Sequence, residues 1–276
     1  MEKTPSDLQP NIRLLLRQTL CACLLSLYAG TGLWAQSATS GEPLPEAPAP
    51  VQENVSLRTV PRDLLNDQKN IWSSPARLHA RDIEWLAPLL LATGAAIATD
   101  HREAQLVSHD ADFNQANLNA SNALIGGWIA APVALYGFGH FRQDDHARQA
   151  GLLSGEAMVD GVVVEEAMKF AFLRERPAVD SGRGRFFQSS VGADSSFPSS
   201  HSIVAWCAAS TLASEYPAPW SQFALYSAAT GVSLTRVMGR EHFPSDVLVG
   251  SATGWLIGHY VAHRHHRQFR KGTLLH

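Results

Sequence analysis

The chain has 276 residues, which is long enough for an export signal and one domain with a sizeable core, but short for two full domains. Its formal net charge is -3 and its basic residues are not concentrated along the chain, which argues against a nucleic-acid partner. Hydrophobic residues make up 45% and charged residues 17%, an apolar composition for a soluble protein that leaves membrane association open.

Residues 1–35 have the pattern of an export signal. Lys3, Arg13 and Arg17 precede the apolar run TLCACLLSLYAGTGLWA, and small residues from Ala35 onward offer a cleavage zone. An uncleaved signal anchor is the alternative, because about 20 apolar residues are also enough to span a bilayer. Both interpretations predict an exported protein, located in the periplasm or associated with a membrane of the cell envelope.

Residues 36–80 are predicted to be a proline-rich linker and an N-terminal extension. The segment GEPLPEAPAPV, from Gly41 to Val51, places four prolines among small residues, a composition that stays extended and cannot bury a core. The stretch from about Asn54 to Ala80 is expected to form short helices or loops against the domain. The domain itself is predicted to cover residues 81–270.

Six apolar runs of helical length follow, rich in Ala, Leu and Gly and without sustained alternation of polar and apolar residues. They extend over about Ile83 to Ala98, Ala123 to Phe138, Ala147 to Leu173, His201 to Ala213, Ser221 to Leu234 and Asp246 to Ala262. Their pattern predicts an all-α helical bundle. Pro88 and Pro132 are expected to kink or break their helices, and Asp100 with His101 is expected to end the first helix.

The distribution of charge leaves embedding in a membrane open. The third run carries Glu156, Asp160, Glu165 and Glu166, too many acids for a lipid-facing helix, where each costs about 2.5–3.5 kcal/mol. Other runs fit either a membrane or a bundle core. The basic tail from His263 to Gly272 is expected to be a solvated helix end or to contact anionic lipid headgroups. The oligomeric state stays open.

The first polar cluster is KFAFLRERP, from Lys169 to Pro177. Lys169 and Arg176 are seven residues apart, about 20° short of two full helical turns, so on a helix both cations leave the same face. Two such cations suit an oxyanion, and arginine offers a bidentate fork. A solvated basic helix end is the alternative.

The second cluster is FPSSHS, which precedes an apolar run. Ser199 or Ser200 can cap a helix that starts near His201, and the unpaired N–H groups of a helix N-terminus form an anion site. A plain N-cap beside an uninvolved histidine is the alternative.

The third cluster is TRVMGREHFPSDVLVG, in which Arg236 precedes His242 by six residues and Asp246 follows it by four. A carboxylate near a histidine can hold its Nδ1–H and leave Nε2 as a lone pair that attacks phosphorus. Alternatively, Asp246 caps its own helix and His242 lies in a surface loop. Arg240 and Glu241, beside the histidine, are expected to shape the pocket or to pair with each other.

Together, the three clusters read Lys-x6-Arg-Pro, Pro-Ser-x-His and Arg-x5-His-x3-Asp. This order resembles the signature of the type 2 phosphatidic acid phosphatase (PAP2) superfamily, which includes bacterial class A acid phosphatases, lipid phosphate phosphatases, glucose-6-phosphatase and vanadium-dependent haloperoxidases. The resemblance covers about Lys169 to Gly250. It implies a helical bundle of the PAP2/haloperoxidase type.

The resemblance also implies a role for each motif residue. His242 would be the nucleophile that forms a phosphohistidine, Asp246 would orient it, and His201 would protonate the leaving oxygen. The phosphate cradle would consist of Lys169, Arg176, Arg236, Ser199 and the backbone N–H of Ser200. Two residues depart from the family: Ser200 stands where glycine is usual, and Thr235 where serine is usual. Ser200 adds a side chain where backbone approaches the phosphate closely.

The sequence therefore predicts an exported, metal-independent phosphatase that acts on phosphomonoesters or on lipid-linked phosphates and pyrophosphates. No cofactor and no metal site are expected, because three cations can replace a metal ion and the motif histidines lack clustered ligands. One alternative is a vanadium-dependent haloperoxidase, which the short chain disfavours. Another is a non-catalytic envelope protein, which the intact His201, His242 and Asp246 disfavour.

Overall fold

The computed structural model describes residues 56–189 and 194–272. The predicted export signal and the proline-rich segment lie outside the described residues. Seven α-helices and no strands form in the described part of the chain, which confirms the all-α prediction. The helices are α1 Val60–Ser73, α2 Ile83–Leu106, α3 Ala111–Arg142, α4 Asp145–Phe172, α5 Ser200–Glu215, α6 Pro219–Met238 and α7 Pro244–Gly272.

Local sequence explains several helix boundaries. Asp110 caps α3 by accepting the backbone N–H of Phe113, and Asp144 caps α4 by accepting that of Ala147. Leu173 ends α4 in a left-handed conformation, with φ of 42°. The connections before α3 and α4 are short, so α2, α3 and α4 run antiparallel, whereas a long connection over residues 173–199 follows α4.

None of the three predicted interruptions breaks its helix. Helix α2 continues through Pro88 and past Asp100 to Leu106, and α3 continues through Pro132. A proline inside a helix costs roughly 3 kcal/mol, so tertiary packing has to offset it. Pro132 is buried, and its carbonyl oxygen would lie 2.6 Å from a Cβ added at Gly151, which shows how closely α3 and α4 pack there.

Helix α5 is the centre of the bundle, because every residue from 202 to 213 is buried. Helix α7 packs directly on it through glycines spaced four residues apart. A Cβ at Gly254 would lie 2.4 Å from the carbonyl oxygen of Ile203, and one at Gly258 would lie 2.4 Å from that of Cys207. This close packing places the N-termini of α5 and α7 side by side.

Helices α2 and α3 expose large apolar side chains. Segments Ala80–Leu106 and Ala111–Arg142 are long and apolar enough to cross a membrane, by length and composition. Leu91 is 74% exposed on α2, and Val133 is 71% exposed on α3. Apolar faces of this kind mark contact with lipid or with another protein.

Helix α1 docks on α4 and α7 through buried polar groups. Arg264 of α7 donates to Asp67 of α1 and, at 2.8 Å, to Glu156 of α4. Gln68 of α1 donates to Asp160 of α4 at 2.8 Å. The basic tail was expected to be a solvated helix end or to contact lipid headgroups. Arg264, within this tail, instead packs into the bundle, because it binds two buried carboxylates.

Candidate active site

The three predicted clusters meet at one end of the bundle, where α4 and α6 end and α5 and α7 begin. Lys169 lies in the last turn of α4, His201 in the first turn of α5, and Arg236 in the last turn of α6. His242 lies in the connection before α7. The antiparallel order of the helices brings these side chains together from four elements.

The first cation is buried between two partners. Lys169 Nζ lies 2.6 Å from Oε1 of Glu165 and donates to Oγ of Ser200 at 2.9 Å. The Ser200 hydroxyl in turn donates to Glu165 at 2.5 Å. Ser200 thus fixes the lysine and the helix N-terminus relative to each other.

The second cation reaches the site in a different way from the prediction. Because α4 ends at Phe172, Arg176 lies in an irregular loop and does not share a helix face with Lys169. Its Nη1 lies 2.6 Å from Oε2 of Glu241. The two cations therefore reach the same end of the bundle from a helix and from a loop.

The third cation has an unused donor. Arg236 is buried, and its Nη2 lies 3.4 Å from Oε2 of Glu241. Its Nε is buried too, and no acceptor among the described residues lies within hydrogen-bond distance of it. A buried donor without an acceptor is costly, so this nitrogen indicates room for an anionic ligand.

The N-terminus of α5 faces the same site. Ser199 is fully buried and caps the helix, because its Oγ accepts the N–H of Ser202 at 3.5 Å and the Ser202 hydroxyl at 3.1 Å. The predicted cap is confirmed, but this hydroxyl contacts its own helix and not the cations. The N–H groups of Ser200 and His201 have no partner within the helix, as at every helix N-terminus.

His201 lies in the field of the cations. Burial and, to a smaller extent, the positive charges of Arg236, Lys169 and Arg176 lower its pKa to about 4, with a contribution from His242. Without a bound anion, the imidazole is therefore neutral near pH 7. A dianionic ligand would raise this pKa, because an opposite charge stabilises the protonated ring.

His242 is buried, and its tautomer is set by a backbone group. Its Nδ1 lies 2.7 Å from the carbonyl oxygen of Ser196, which can only accept, so Nδ1 donates and Nε2 keeps a lone pair. Burial lowers its pKa well below the ordinary value, and the charge of Arg236 adds to this effect. A neutral histidine with a free Nε2 is suited to nucleophilic attack.

Asp246 does not hold the histidine as expected. Its Oδ2 lies 3.7 Å from Nδ1 of His242, beyond hydrogen-bond distance. The carboxylate accepts the backbone N–H of Phe243 at 2.8 Å and a hydrogen bond from Arg174 at 2.6 Å. The position of Asp246 in the first turn of α7 explains this, because its carboxylate caps that helix.

Sequence analysis missed two residues that support the site. Arg174 is fully buried and binds Asp246 through Nη1 and Asp100 of α2 through Nη2, the latter at 2.7 Å. Its guanidinium also stacks on the ring of Phe243, 4.3 Å from the ring centroid. Asp100, predicted to end a helix, is separated from Arg174 by 74 residues, so no local pattern reveals the pair.

Arg240 and Glu241 do not pair with each other. Arg240 turns towards α2 and donates to the carbonyl oxygen of Ala104 at 3.1 Å, and its Nη1 lies 2.8 Å from Nε2 of His109. Glu241 turns towards Arg176 and Arg236 instead. The cationic site therefore includes two carboxylates of the described residues, Glu165 beside Lys169 and Glu241 beside the two arginines.

Among the residues that the structure describes, one group of three carboxylates could hold a metal ion by its geometry: Asp67, Glu156 and Asp160, all buried. It lies where α1 meets α4 and α7. Asp160 precedes Lys169 on α4 by nine residues, which corresponds to about 13 Å along the helix. None of the predicted site residues belongs to this group.

Comparison with known proteins agrees with the motif order. Residues 150–270 match the model of the PAP2 superfamily. A lipid A 1-phosphatase of Porphyromonas gingivalis is 33% identical over 106 residues, which are 38% of this chain and 21% of that protein. The chain thus matches about a fifth of the length of this curated relative. No solved structure matches the chain significantly. Residues 150–270 of this chain are thus similar to the PAP2 superfamily, in agreement with the resemblance carried by the three motifs.

Proposed function

We propose that the domain hydrolyses a phosphomonoester of a lipid through a phosphohistidine intermediate. The observation that supports this most directly is the convergence of Lys169, Arg176 and Arg236 with two histidines of lowered pKa. The unused Nε of Arg236 adds a donor for a phosphoryl oxygen. Fixed cations and donors of this kind neutralise the charge that develops on the equatorial oxygens during phosphoryl transfer.

In the first step, the Nε2 lone pair of His242 attacks phosphorus and the bond to the leaving oxygen breaks. His201 donates its proton to that oxygen, so the leaving group departs as an alcohol. The Nδ1–H of His242 continues to donate its hydrogen bond to the carbonyl oxygen of Ser196. This bond stabilises the positive charge that the ring gains. The step forms one N–P bond and leaves His201 neutral.

In the second step, water attacks the phosphohistidine. His201, now neutral, accepts a proton from the water as the new P–O bond forms and the N–P bond breaks. Inorganic phosphate then leaves and the histidines return to their starting states. Lys169, Arg176, Arg236 and the N–H groups at the start of α5 hold the phosphoryl oxygens throughout.

Two observations favour a lipid over a soluble phosphate ester. Helices α2 and α3 are long and apolar enough to cross a membrane and expose apolar faces. The site lies near the end of α2, because Arg174 binds Asp100 and Arg240 donates to Ala104, so a membrane-spanning α2 would bring the site to the membrane surface. The relative from Porphyromonas gingivalis is named as a phosphatase of a lipid, lipid A.

The distribution of basic residues supports a site that faces the exterior. Arg77 and Arg81 precede α2 and Arg142 ends α3, whereas Arg102, near the end of α2, is the one lysine or arginine in residues 82–141. Basic residues near the ends of membrane-spanning helices favour the cytoplasmic side. This orientation places the α2–α3 connection and the site on the exported side, in agreement with the N-terminal signal.

The test compares two substrates with the purified full-length chain in detergent. We expect release of inorganic phosphate from phosphatidate, with kcat/KM at least about tenfold higher than for a soluble aryl phosphate, because the lipid chains add binding energy. EDTA should not change either rate. Release from neither substrate would contradict the proposal, and oxidation of bromide in the presence of vanadate and peroxide would favour a haloperoxidase.

A further inference from the structure

A carboxylate of the chain itself lies between two of the three cations. Glu241 Oε2 is 2.6 Å from Nη1 of Arg176 and 3.4 Å from Nη2 of Arg236. The same nitrogen of Arg176 also donates to the backbone carbonyl oxygen of Glu241 at 3.3 Å. Glu241 thus contacts both guanidinium groups that bind phosphoryl oxygens in the proposed function.

The backbone turn between α6 and α7 places this carboxylate in the site. Arg240 adopts a left-handed conformation with φ of 59°, and the N–H of Glu241 donates to the carbonyl oxygen of Arg236 at 3.1 Å. The turn directs the side chain of Arg240 towards Ala104 and that of Glu241 towards Arg176. Because the Glu241 side chain is 31% exposed, rotation about its own bonds is enough to move the carboxylate into solvent.

A phosphoryl group and the Glu241 carboxylate need the same donors. Both are oxyanions that fit the fork of a guanidinium, so they cannot occupy the Nη groups of Arg176 and Arg236 together. We infer that Glu241 is the resting ligand of the phosphate site, which substrate and inorganic phosphate must displace. This inference rests on the proposed function and adds a residue that sets the affinity of the site for oxyanions.

The consequence is a weaker apparent affinity for every oxyanion. Phosphate binds only the fraction of molecules in which the carboxylate has left the arginines, so the apparent dissociation constant rises by the inverse of that fraction. A phosphate dianion still prevails at sufficient concentration, because it carries more charge and more oxygens than one carboxylate. After hydrolysis, the returning carboxylate limits inhibition by the released phosphate.

The opposite role would be that Glu241 holds the two arginines in position for the substrate. In that case, removing the carboxylate would loosen Arg176 and weaken the binding of oxyanions. The two roles therefore predict changes of opposite sign in one measurement.

The experiment measures binding of inorganic phosphate and of orthovanadate to the purified full-length chain by calorimetry at low ionic strength. We expect Glu241→Gln and Glu241→Ala to bind both anions about tenfold more tightly than the unaltered chain. Inhibition of turnover by phosphate should strengthen by the same factor. Glu175→Gln is the matched control, because it removes the same charge from an ion pair with Arg185 outside the site.

The outcomes separate this inference from the proposed function. Unchanged or weaker binding in both Glu241 variants, with normal binding by the unaltered chain, would overturn the inference alone. Absence of binding in every variant, including the unaltered chain, would overturn the phosphate site itself. Equal thermal unfolding temperatures of the three variants would show that the binding measurements compare folded proteins. Tighter binding of phosphate in either Glu241 variant is enough to support the inference.

Discussion

At the scale of single residues, the site places two histidines of the same ordinary pKa in opposite roles. His242 has to be neutral at Nε2, and its pKa lies well below the ordinary value because the ring is buried. His201 has to carry a proton in the proposed first step, yet burial and nearby cations lower its pKa to about 4. The bound phosphoryl dianion must therefore supply the charge that protonates His201.

This difference predicts the pH dependence of the reaction. In the free enzyme, the protonated fraction of His201 falls as pH rises above about 4, so kcat/KM for an alkyl phosphate should decline on the alkaline side and peak below pH 6.5. In the complex, the dianion raises the pKa of His201, so the alkaline limb of kcat should lie at higher pH. Profiles of both parameters between pH 4 and 9 provide the check.

Aryl phosphates serve as the control for this prediction, because their good leaving groups need little protonation. We expect kcat/KM to decline less with rising pH for an aryl phosphate than for an alkyl phosphate. In His201→Ala, this alkaline decline should be weaker still. An alkaline limb of the same size for both esters would argue against His201 as the general acid.

The residues that sequence analysis found and missed differ in how far apart their partners lie. Lys169, His201 and His242 were predicted, because each lies in a short motif whose spacing carries information. Arg174 and Asp100 were missed, since they meet only after the bundle folds and are 74 residues apart in the chain. The carbonyl of Ser196, which replaces Asp246 as the partner of His242, carries no sequence signature at all.

At the scale of helices, Arg174 connects the apolar helix α2 to the site. Its side chain binds Asp100 of α2 and Asp246 of α7, and its backbone carbonyl accepts the N–H of Ser196 at 2.8 Å. The same residue thus holds α2, α7 and the loop that carries the acceptor for His242. Movement of α2 should therefore reach the nucleophile through Arg174.

Asp100→Asn tests this connection. The variant leaves the buried guanidinium of Arg174 with one carboxylate partner, so we expect the free energy of unfolding to fall by about 3 kcal/mol. We also expect kcat/KM to fall, because Arg174 positions the acceptor of His242. Chemical unfolding in detergent and steady-state kinetics measure the two effects.

Glu103→Gln is the matched control on the same helix, because the carboxylate of Glu103 contacts Thr99 away from the site. This variant should keep both stability and activity close to the original. If Asp100→Asn behaves like the control in both measurements, α2 is not coupled to the site through Arg174.

The docking of α1 makes stability depend on pH. Burial, with smaller contributions from the charges of Asp67 and Glu156, raises the pKa of Asp160 to about 7. A folded pKa above the unfolded value of 3.8 means that the folded state binds more protons between pH 4 and 7. The contribution of Asp160 to stability is therefore present at low pH and is lost as pH rises through about 7.

Asp160→Asn should remove this dependence. The amide has no charge to bury and can still accept the hydrogen bond from Gln68, so we expect a gain of roughly 2 kcal/mol at pH 8 and little change at pH 4. Glu166→Gln, a less buried position on the same helix, is the control. If the free energy of unfolding of Asp160→Asn differs from that of the original chain by the same amount at pH 4 and at pH 8, the raised pKa of Asp160 is contradicted.

The extent of each helix was predicted less well than its existence. All six apolar runs correspond to helices of the structure, although the third extends one residue past the end of α4, because an amphipathic or apolar period is a local property. The end of α2 was placed too early at Asp100, since a polar residue after an apolar run normally marks a terminus. Its burial against Arg174 could not be foreseen from the run itself.

At the scale of the whole molecule, the bundle has one end that carries the proposed active site and an apolar flank formed by α2 and α3. We expect these two helices to contact lipid in the native membrane, because they expose residues such as Leu91 and Val133. A photoreactive apolar lipid, activated in native envelopes and followed by peptide mapping, should label both helices. Label confined to residues 1–35 would show that only the N-terminal segment enters the membrane.

The most direct test of the account is to trap the intermediate. A radioactively labelled phosphomonoester, quenched in base during turnover, should leave label on the protein that is stable to base and labile to acid. Because Nδ1 of His242 donates to Ser196, the account predicts phosphate on Nε2 of His242, and no label and no turnover in His242→Ala. Label on another residue, label on Nδ1, or turnover by His242→Ala would contradict it.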